Sequence, residues 1–274
     1  MIATLVTLFA ASASGCVPIS GANQLWAPAT RWVIIGEMHG TNEAPDAFAN
    51  LVCLAVASGR PVTVALEYSS DDQAAIDAYL ASDGSDQAQA ALKRLSLFTS
   101  ETQDGRGSVA FMRLFDRLRQ LKKASRIGGV VASDVGRSTP EGLDRNAAMA
   151  RTWTAIPAPD HGLVLALVGN LHAMRKPVSF SNRTIVTAGS LMPAKQTMTV
   201  NIEGNGGQEW NCRQDGCGPH DAGPSRASAS ASGITYSDDP DRRWDGTYRL
   251  GIPTTAASPA VPATAASLPT EGAP

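Results

Sequence analysis

Four short runs of almost unbroken apolar residues constrain the fold of this chain more than any other feature: Trp32-Val33-Ile34-Ile35, Val62-Thr63-Val64-Ala65-Leu66, Gly129-Val130-Val131-Ala132 and Leu163-Val164-Leu165-Ala166-Leu167-Val168. A strand with one wet face alternates polar and apolar side chains. These runs do not, so each is expected to be covered on both faces, as in a parallel sheet. Amphipathic stretches separate them, at about 42–58, 71–81, 85–97, 108–123 and 140–155. The fourth stretch spaces Phe111, Leu114, Phe115, Leu118 and Leu121 as a helix would, with Arg113, Asp116, Arg117 and Arg119 on the other face. That basic face reads as a solvated helix surface rather than a binding patch. Strands alternating with helices imply right-handed crossovers, hence an α/β fold with a mainly parallel mixed sheet flanked by helices in a single domain. Further strands are expected over 184–188 and 197–202. The connection before them is too short for helices, which predicts an antiparallel far edge.

The domain is expected to span residues 30–204, with 274 residues and 43% hydrophobic content enough for one substantial core. A formal net charge of -2 leaves no cationic footprint for nucleic acid. Residues 1–16 combine an apolar run (Ile2, Leu5, Val6, Leu8, Phe9) with small residues, too short to cross a bilayer and fitting a secretory leader. Ala11-Ser12-Ala13 suits an ordinary signal peptidase, whereas Ala13-Ser14-Gly15-Cys16 is similar to a lipobox that would leave Cys16 lipidated and membrane-attached. Either reading exports the protein, to the periplasm or the outer membrane. Beyond residue 204 comes an extension over 205–253 in which Cys212 and Cys217 are expected to close a disulfide; a zinc site with His220 would lack a ligand. Cys53 reads as a small buried hydrophobe in a helix. Residues 254–274 are a low-complexity Pro/Ala/Thr segment, expected to be disordered.

The chemistry concentrates where strands end. Ile34-Ile35-Gly36-Glu37-Met38-His39-Gly40-Thr41-Asn42-Glu43-Ala44-Pro45 runs from a buried strand through a glycine-permitted turn into a helix capped by Thr41 or Asn42. It presents Glu37, His39 and Glu43 at the carboxyl end of the sheet, where ligands of such folds bind. The run from Val62 ends in Glu67, which parallel strands would bring to the same edge, and the run from Leu163 leads into Gly169-Asn170-Leu171-His172. Histidine thus follows glycine by three positions twice. No Gly-x-Ser-x-Gly elbow or phosphate-cradling Gly-Lys-Ser/Thr ending is present, and His161 is expected in an exposed loop.

Gly36-Glu37-Met38-His39-Gly40-Thr41, the strand-end Glu67, Asp144-Arg145-Asn146 in a helix and Gly169-Asn170-Leu171-His172-Ala173 resemble the ordered landmarks of the superfamily that joins erythromycin esterases, TraB/TIKI proteins and ChaN-like lipoproteins. The resemblance covers residues 32–192. It places the paired histidines on His39 and His172, the acid on Glu67 and the Arg-Asn pair on Arg145 and Asn146. It implies metal-dependent peptide cleavage if TIKI-like, metal-independent hydrolysis if esterase-like, and haem binding if ChaN-like.

The expected function is hydrolysis of an amide or ester bond in a small-molecule or peptide substrate, with haem or iron binding as the alternative. In a metal-dependent form, His39, His172 and Glu67 would hold a divalent cation whose bound water Glu37 or Glu67 deprotonates, with Arg145 at the oxyanion. In a metal-free form, His39 or His172 activates water directly, oriented by Glu37 or Glu67. Glu43 and Asn146 are candidates for holding a cofactor, and the two histidines are competent axial ligands for haem.

Overall fold

The computed structural model describes residues 15–137, 139–157, 159–225 and 231–262. The leader expected over residues 1–16 lies outside them except for its last two residues. In chain order the main elements are β1 (Trp32–Glu37), α1 (Glu43–Ala57), β2 (Val62–Ser69), α2 (Gln73–Ala81), α3 (Asp86–Leu92), α4 (Ser96–Thr99), α5 (Val109–Lys123), β3 (Val130–Asp134), α6 (Arg145–Ala155), β4 (Leu163–Gly169), β5 (Val178–Phe180), β6 (Arg183–Ile185), β7 (Thr197–Glu203), β8 (Gln208–Arg213), β9 (Gly216–Asp221), β10 (Gly233–Tyr236) and β11 (Gly246–Arg249).

Seven strands form one sheet in the order β10-β11-β7-β1-β4-β2-β3, parallel throughout except where β10 pairs with β11. All four apolar runs become strands, and three of them, β1, β4 and β2, are neighbours inside the sheet. The residues alternate between two cores. Val33 and Ile35 of β1 pack with Phe48, Leu51 and Val52 of α1 and Phe111, Leu114 and Phe115 of α5. Trp32 and Ile34 face the other way, onto Met149 and Trp153 of α6. Burying a leucine- or phenylalanine-sized side chain stabilises by roughly 1.5–3 kcal/mol, so both helical layers are held by the strands' lack of a polar face.

The helix ends follow local chemistry. Ser108 caps α5 by accepting the Phe111 N–H, and Asp144 caps α6 by accepting those of Asn146 and Ala147, contributing about 1 kcal/mol each. The α6 cap fixes Arg145 and Asn146 in the first turn.

Three expectations need correction. β7 is not an antiparallel edge: it pairs parallel with β1, and the antiparallel strand is β10, from the extension. Residues 205–253 therefore complete the domain sheet instead of hanging from it. The segment from Thr254 is ordered as far as Pro262, with Thr254 and Ala257 buried. Its composition cannot make a core, but its backbone can be borrowed: Ala257 N–H donates to Gly40 O, Ala260 N–H to Gly107 O, and Thr255 O accepts from Asn42. Residues 263–274 lie outside the described residues. Finally, Cys53 is not a free thiol but is bonded to Cys16. Asn50, one turn earlier on α1, holds Val17 through two hydrogen bonds and carries the N-terminal segment to it. A thioether-linked lipid on Cys16 would need the same sulfur, so the disulfide and the expected acylation exclude each other.

Cys212 and Cys217 are disulfide-bonded across the β8–β9 hairpin as expected. Two disulfides are consistent with an exported protein. No helix among the described residues is long and apolar enough to cross a membrane.

Candidate active site

Glu37 and Gly169 end β1 and β4, Glu67 lies two residues before the end of β2, and in the β1–β4 register Glu37 lies opposite Gly169. The parallel sheet thus delivers two buried carboxylates and a backbone N–H to one rim. The Gly169 N–H donates to Glu67 Oε2 at 2.6 Å. His39, two residues beyond β1, sets Nδ1 2.9 Å from Glu37 Oε1 and Nε2 3.6 Å from Glu67 Oε2. His172, three beyond β4, sets Nε2 3.8 Å from Glu67 Oε1. The two imidazoles converge on one carboxylate, as the motifs predict.

Arg145 completes the cluster from α6. It donates to Glu67 Oε1 at 2.6 Å and to Asp134 Oδ1 at 2.7 Å, and its Nη1 lies 3.3 Å from His172 Nε2. Asn146 accepts the Ala188 backbone N–H and the His172 Nδ1 on the same side-chain oxygen. Because a backbone N–H can only donate, that atom must be the amide oxygen, so His172 carries its proton on Nδ1 and leaves Nε2 as the acceptor. Asn146 is therefore a positioning residue for His172 rather than a cofactor ligand. Glu43 is not brought to the cluster; it accepts hydrogen bonds from the backbone and hydroxyl of Thr255. A carboxylate in the first turn of α1 is drawn to the nearest donors, which the C-terminal strap supplies.

Sequence reasoning missed Arg106, Asp104 and Asp134. Arg106 donates to Glu67 Oε1 at 2.8 Å and pairs with Asp104. It reaches the site because Gly105, at φ 93°, packs so closely on Gly40 that a Cβ there would fall 2.1 Å from the Gly40 Cα. The disulfide hairpin clamps this junction: Trp210 N–H donates to Gly40 O at 2.8 Å, and Cys212 Sγ lies 3.5 Å from Gln103 O. Asp134 carries a readable signal, since it closely follows an apolar run as Glu67 does; Arg106, in a polar turn without periodicity, carries none.

The two histidines are held in different protonation states. Burial opposes a charge on His39, but the Glu67 carboxylate and the Glu37 hydrogen bond outweigh it and raise the imidazole to about 10. Burial lowers His172, with Arg145 acting in the same direction. Burial pushes Glu37 up, and its Oε2 has no hydrogen-bond partner among the described residues. Glu67 resists the same effect of burial because His39, Arg106 and His172 surround it, and it stays well below the usual carboxylate range.

The site does not fit the expected divalent cation. Both oxygens of Glu67 are taken, one by two guanidinium groups and the other by the Gly169 N–H, and Arg145 stands beside the His172 lone pair. A divalent metal here would have to share its ligands with two fixed positive charges. Among the described residues, no group of three or more His, Cys, Asp and Glu side chains is arranged to hold a metal ion. Haem fits no better. An axial ligand needs a ring nitrogen aimed at the iron, whereas His39 turns one nitrogen to each glutamate and His172 turns its own to Asn146 and Arg145.

No protein-family model and no curated protein matches the sequence. Solved structures match the fold. A histidine-to-asparagine mutant of the erythromycin esterase EreC, in its open conformation, is 13% identical with a TM-score of 0.61 over 88% of this chain and 94% of its own. The fold is shared with an erythromycin esterase. A Bacillus cereus protein gives the same TM-score and coverage at 12% identity. A succinoglycan biosynthesis protein gives 0.54 at 10% identity over 86% of this chain and 91% of its own. At these identities the likeness to the esterase concerns the fold, and it agrees with the resemblance carried by the histidine motifs.

Proposed function

We propose that the protein is a hydrolase that cleaves an ester bond without a metal ion. The observation that carries this reading is the division of labour between two histidines on one carboxylate: a neutral His172 whose unprotonated Nε2, 3.3 Å from Arg145 Nη1, is the ring nitrogen able to take a proton, and a protonated His39 able to give one. Pairs of titratable groups driven apart in pKa by their surroundings are how one site performs acid and base chemistry together. The esterase fold supports the same reading.

In the reaction, His172 Nε2 removes a proton from water as the water oxygen attacks the ester carbonyl carbon. Arg145, whose side chain is 38% exposed, is the cation able to meet the oxygen on which negative charge develops. As the carbon–oxygen bond breaks, His39 passes its Nε2 proton to the departing alkoxide. Glu67 Oε2 lies 3.6 Å from that nitrogen, longer than a good hydrogen bond, so the N–H can turn its proton to the leaving oxygen. The proton gained by His172 then restores His39 through solvent, and acid and alcohol leave. Glu67 stays ionised throughout and keeps both rings in place.

The experiment is hydrolysis of a panel of simple esters by the purified protein, with and without chelator, and by His172→Ala. Activity that survives the chelator and disappears in the variant is the expected result. Activity abolished by chelation and restored by zinc or manganese would reverse the metal-free assignment.

A further inference from the structure

The β8–β9 hairpin stands outside the seven-stranded sheet: among the described residues its two strands pair only with each other. A lone two-stranded hairpin is marginal in water, so this one depends on its crosslink and on its anchors to the domain. The crosslink, Cys212–Cys217, joins directly opposed residues across a turn that is exposed from Cys212 to Cys217. Cys53 of the other disulfide is only 8% exposed. Of the two, the hairpin disulfide is the one with both cysteines at the surface.

The anchors of the hairpin run to the catalytic turn. Trp210 N–H donates to Gly40 O at 2.8 Å. Gly40, at φ 86°, lies so close to the Trp210 backbone that a Cβ there would collide with the Trp210 carbonyl, and Gly105 packs on the same Gly40. Three backbone segments therefore meet with no side chain between them: Trp210 of the hairpin, Gly40 beside His39, and Gly105 beside Arg106. His39 faces one oxygen of Glu67 and Arg106 holds the other, so the hairpin's position bears on both sides of that carboxylate. A groove of about 420 Å³ reaches the crosslink, with Trp210, Pro259 and Pro262 as apolar walls and Cys217 in its lining. Cys212 Sγ instead lies 3.5 Å from Gln103 O. Cys217 is thus the cysteine that an incoming thiolate meets.

We propose that Cys212–Cys217 is a thiol-exchange site that takes a dithiol, and that opening it switches the histidine pair off. One thiolate of the dithiol attacks Cys217 Sγ, the S–S bond breaks, and Cys212 leaves as a thiolate that takes up a proton. The dithiol's second sulfur, as thiolate, then attacks its first, and Cys217 leaves and is protonated in turn. The hairpin gains two electrons and two protons, and the dithiol becomes a disulfide. With the ring open the hairpin frays, Trp210 leaves Gly40, and His39 and Arg106 lose the backbone contact that sets them. Activity is thereby confined to the oxidised chain. The effect on catalysis rests on the hydrolase reading; the exchange site and the loosening of the turn do not.

The test exposes the wild type to dithiothreitol for increasing times, with parallel samples alkylated for mass spectrometry, assayed with ester and followed by amide hydrogen exchange. Cys212 and Cys217 are expected to label before Cys16 and Cys53. Once that pair alone is reduced, kcat should fall on the order of 10²-fold, the cost of moving a reacting group by about 1 Å, and should return on reoxidation. Exchange should quicken over 208–213 and 39–41. Cys212→Ser/Cys217→Ser should match the reduced wild type and ignore the dithiol. Earlier labelling of Cys16 and Cys53, a kcat unchanged with the hairpin pair reduced, or a loss that reoxidation does not reverse overturns the switch. If no ester is hydrolysed at any stage, the hydrolase reading fails and hydrogen exchange decides alone. Faster exchange over 39–41 on reduction of the pair then supports the proposal, and equal exchange overturns it.

Discussion

His39 and His172 address different oxygens of the same carboxylate, Nε2 of the first 3.6 Å from Glu67 Oε2 and Nε2 of the second 3.8 Å from Oε1, yet one is held charged and the other neutral. The difference comes from the other side of each ring: Glu37 faces His39, whereas the Asn146 amide and the Arg145 guanidinium face His172.

A pH profile follows from that pair. His172 must be neutral to act as a base, and its pKa lies below the usual 6.5, so kcat/KM should rise on a limb below that value. His39 must be protonated to act as an acid, so activity should fall as pH passes through about 10. His172→Asn should remove the acidic limb together with a factor of roughly 10²–10⁴ in rate. A single limb centred near 6.5 would contradict the assignment.

Most of this site is legible in the amino-acid sequence, because strand ends announce themselves. An apolar run that stops at Glu37, Glu67 or Gly169 marks the sheet's rim, and the parallel arrangement brings all such rims together. What is not legible depends on contacts between distant segments. Arg106 arrives only because two glycine backbones touch, Cys16 finds Cys53 across 37 residues, and the strap from Thr254 is ordered by carbonyls and amides it borrows from others. Backbone hydrogen bonding of that kind carries no composition signature, so a Pro/Ala/Thr-rich segment reads as structureless.

The charge on His39 also links stability to alkali. Its folded pKa, about 10, lies above the unfolded value near 6.5, so its contribution is fully present below 6.5 and is lost as pH rises through about 10. Urea unfolding followed from pH 6 to pH 10 should show a progressive loss of stability that is shallower in His39→Gln. Equal slopes in the two proteins would mean that His39 is not the linked group.

Arg106 is the cation whose removal should be felt most. Its side chain is only 12% exposed, and it ties Glu67 to Asp104. Arg106→Ala leaves a buried carboxylate short of a partner, a change that costs about 3–5 kcal/mol in comparable pairs. Arg106→Lys should recover only part of this, because an ammonium cannot span both acids in the same planar geometry. Denaturant titration of the two variants checks the order, and a lysine variant as stable as wild type would refute it.

The two disulfides should separate in effect. By loop entropy, the 37-residue closure at Cys16–Cys53 is worth about 4 kcal/mol and the 5-residue closure at Cys212–Cys217 about 2 kcal/mol. The smaller one nevertheless sits on the hairpin that holds Gly40 through the Trp210 N–H and packs against the Gln103 carbonyl. Serine replacement of Cys16 and Cys53 is therefore expected to lower the unfolding midpoint with kcat preserved in the folded protein. Replacement of Cys212 and Cys217 should lower kcat more than stability. The opposite ranking would show that the hairpin does not brace the catalytic turn.

Gly169 offers the sharpest separation of folding from chemistry. Its backbone lies outside the left-handed region, so an alanine is tolerated there without conformational strain. The added methyl carbon would, however, stand 3.1 Å from His39 Nε2, 3.6 Å from Glu67 Oε2 and 3.6 Å from His172 Cδ2. It would occupy the space between the three groups, and His39, with 21% of its side chain exposed, has room to yield toward solvent. A displacement approaching 1 Å at a reacting group costs on the order of 10²-fold in rate. Gly169→Ala should thus keep a thermal midpoint close to wild type while kcat falls by about that factor. If ester hydrolysis were unchanged in a well-folded Gly169→Ala protein, the reaction would not take place between these two histidines.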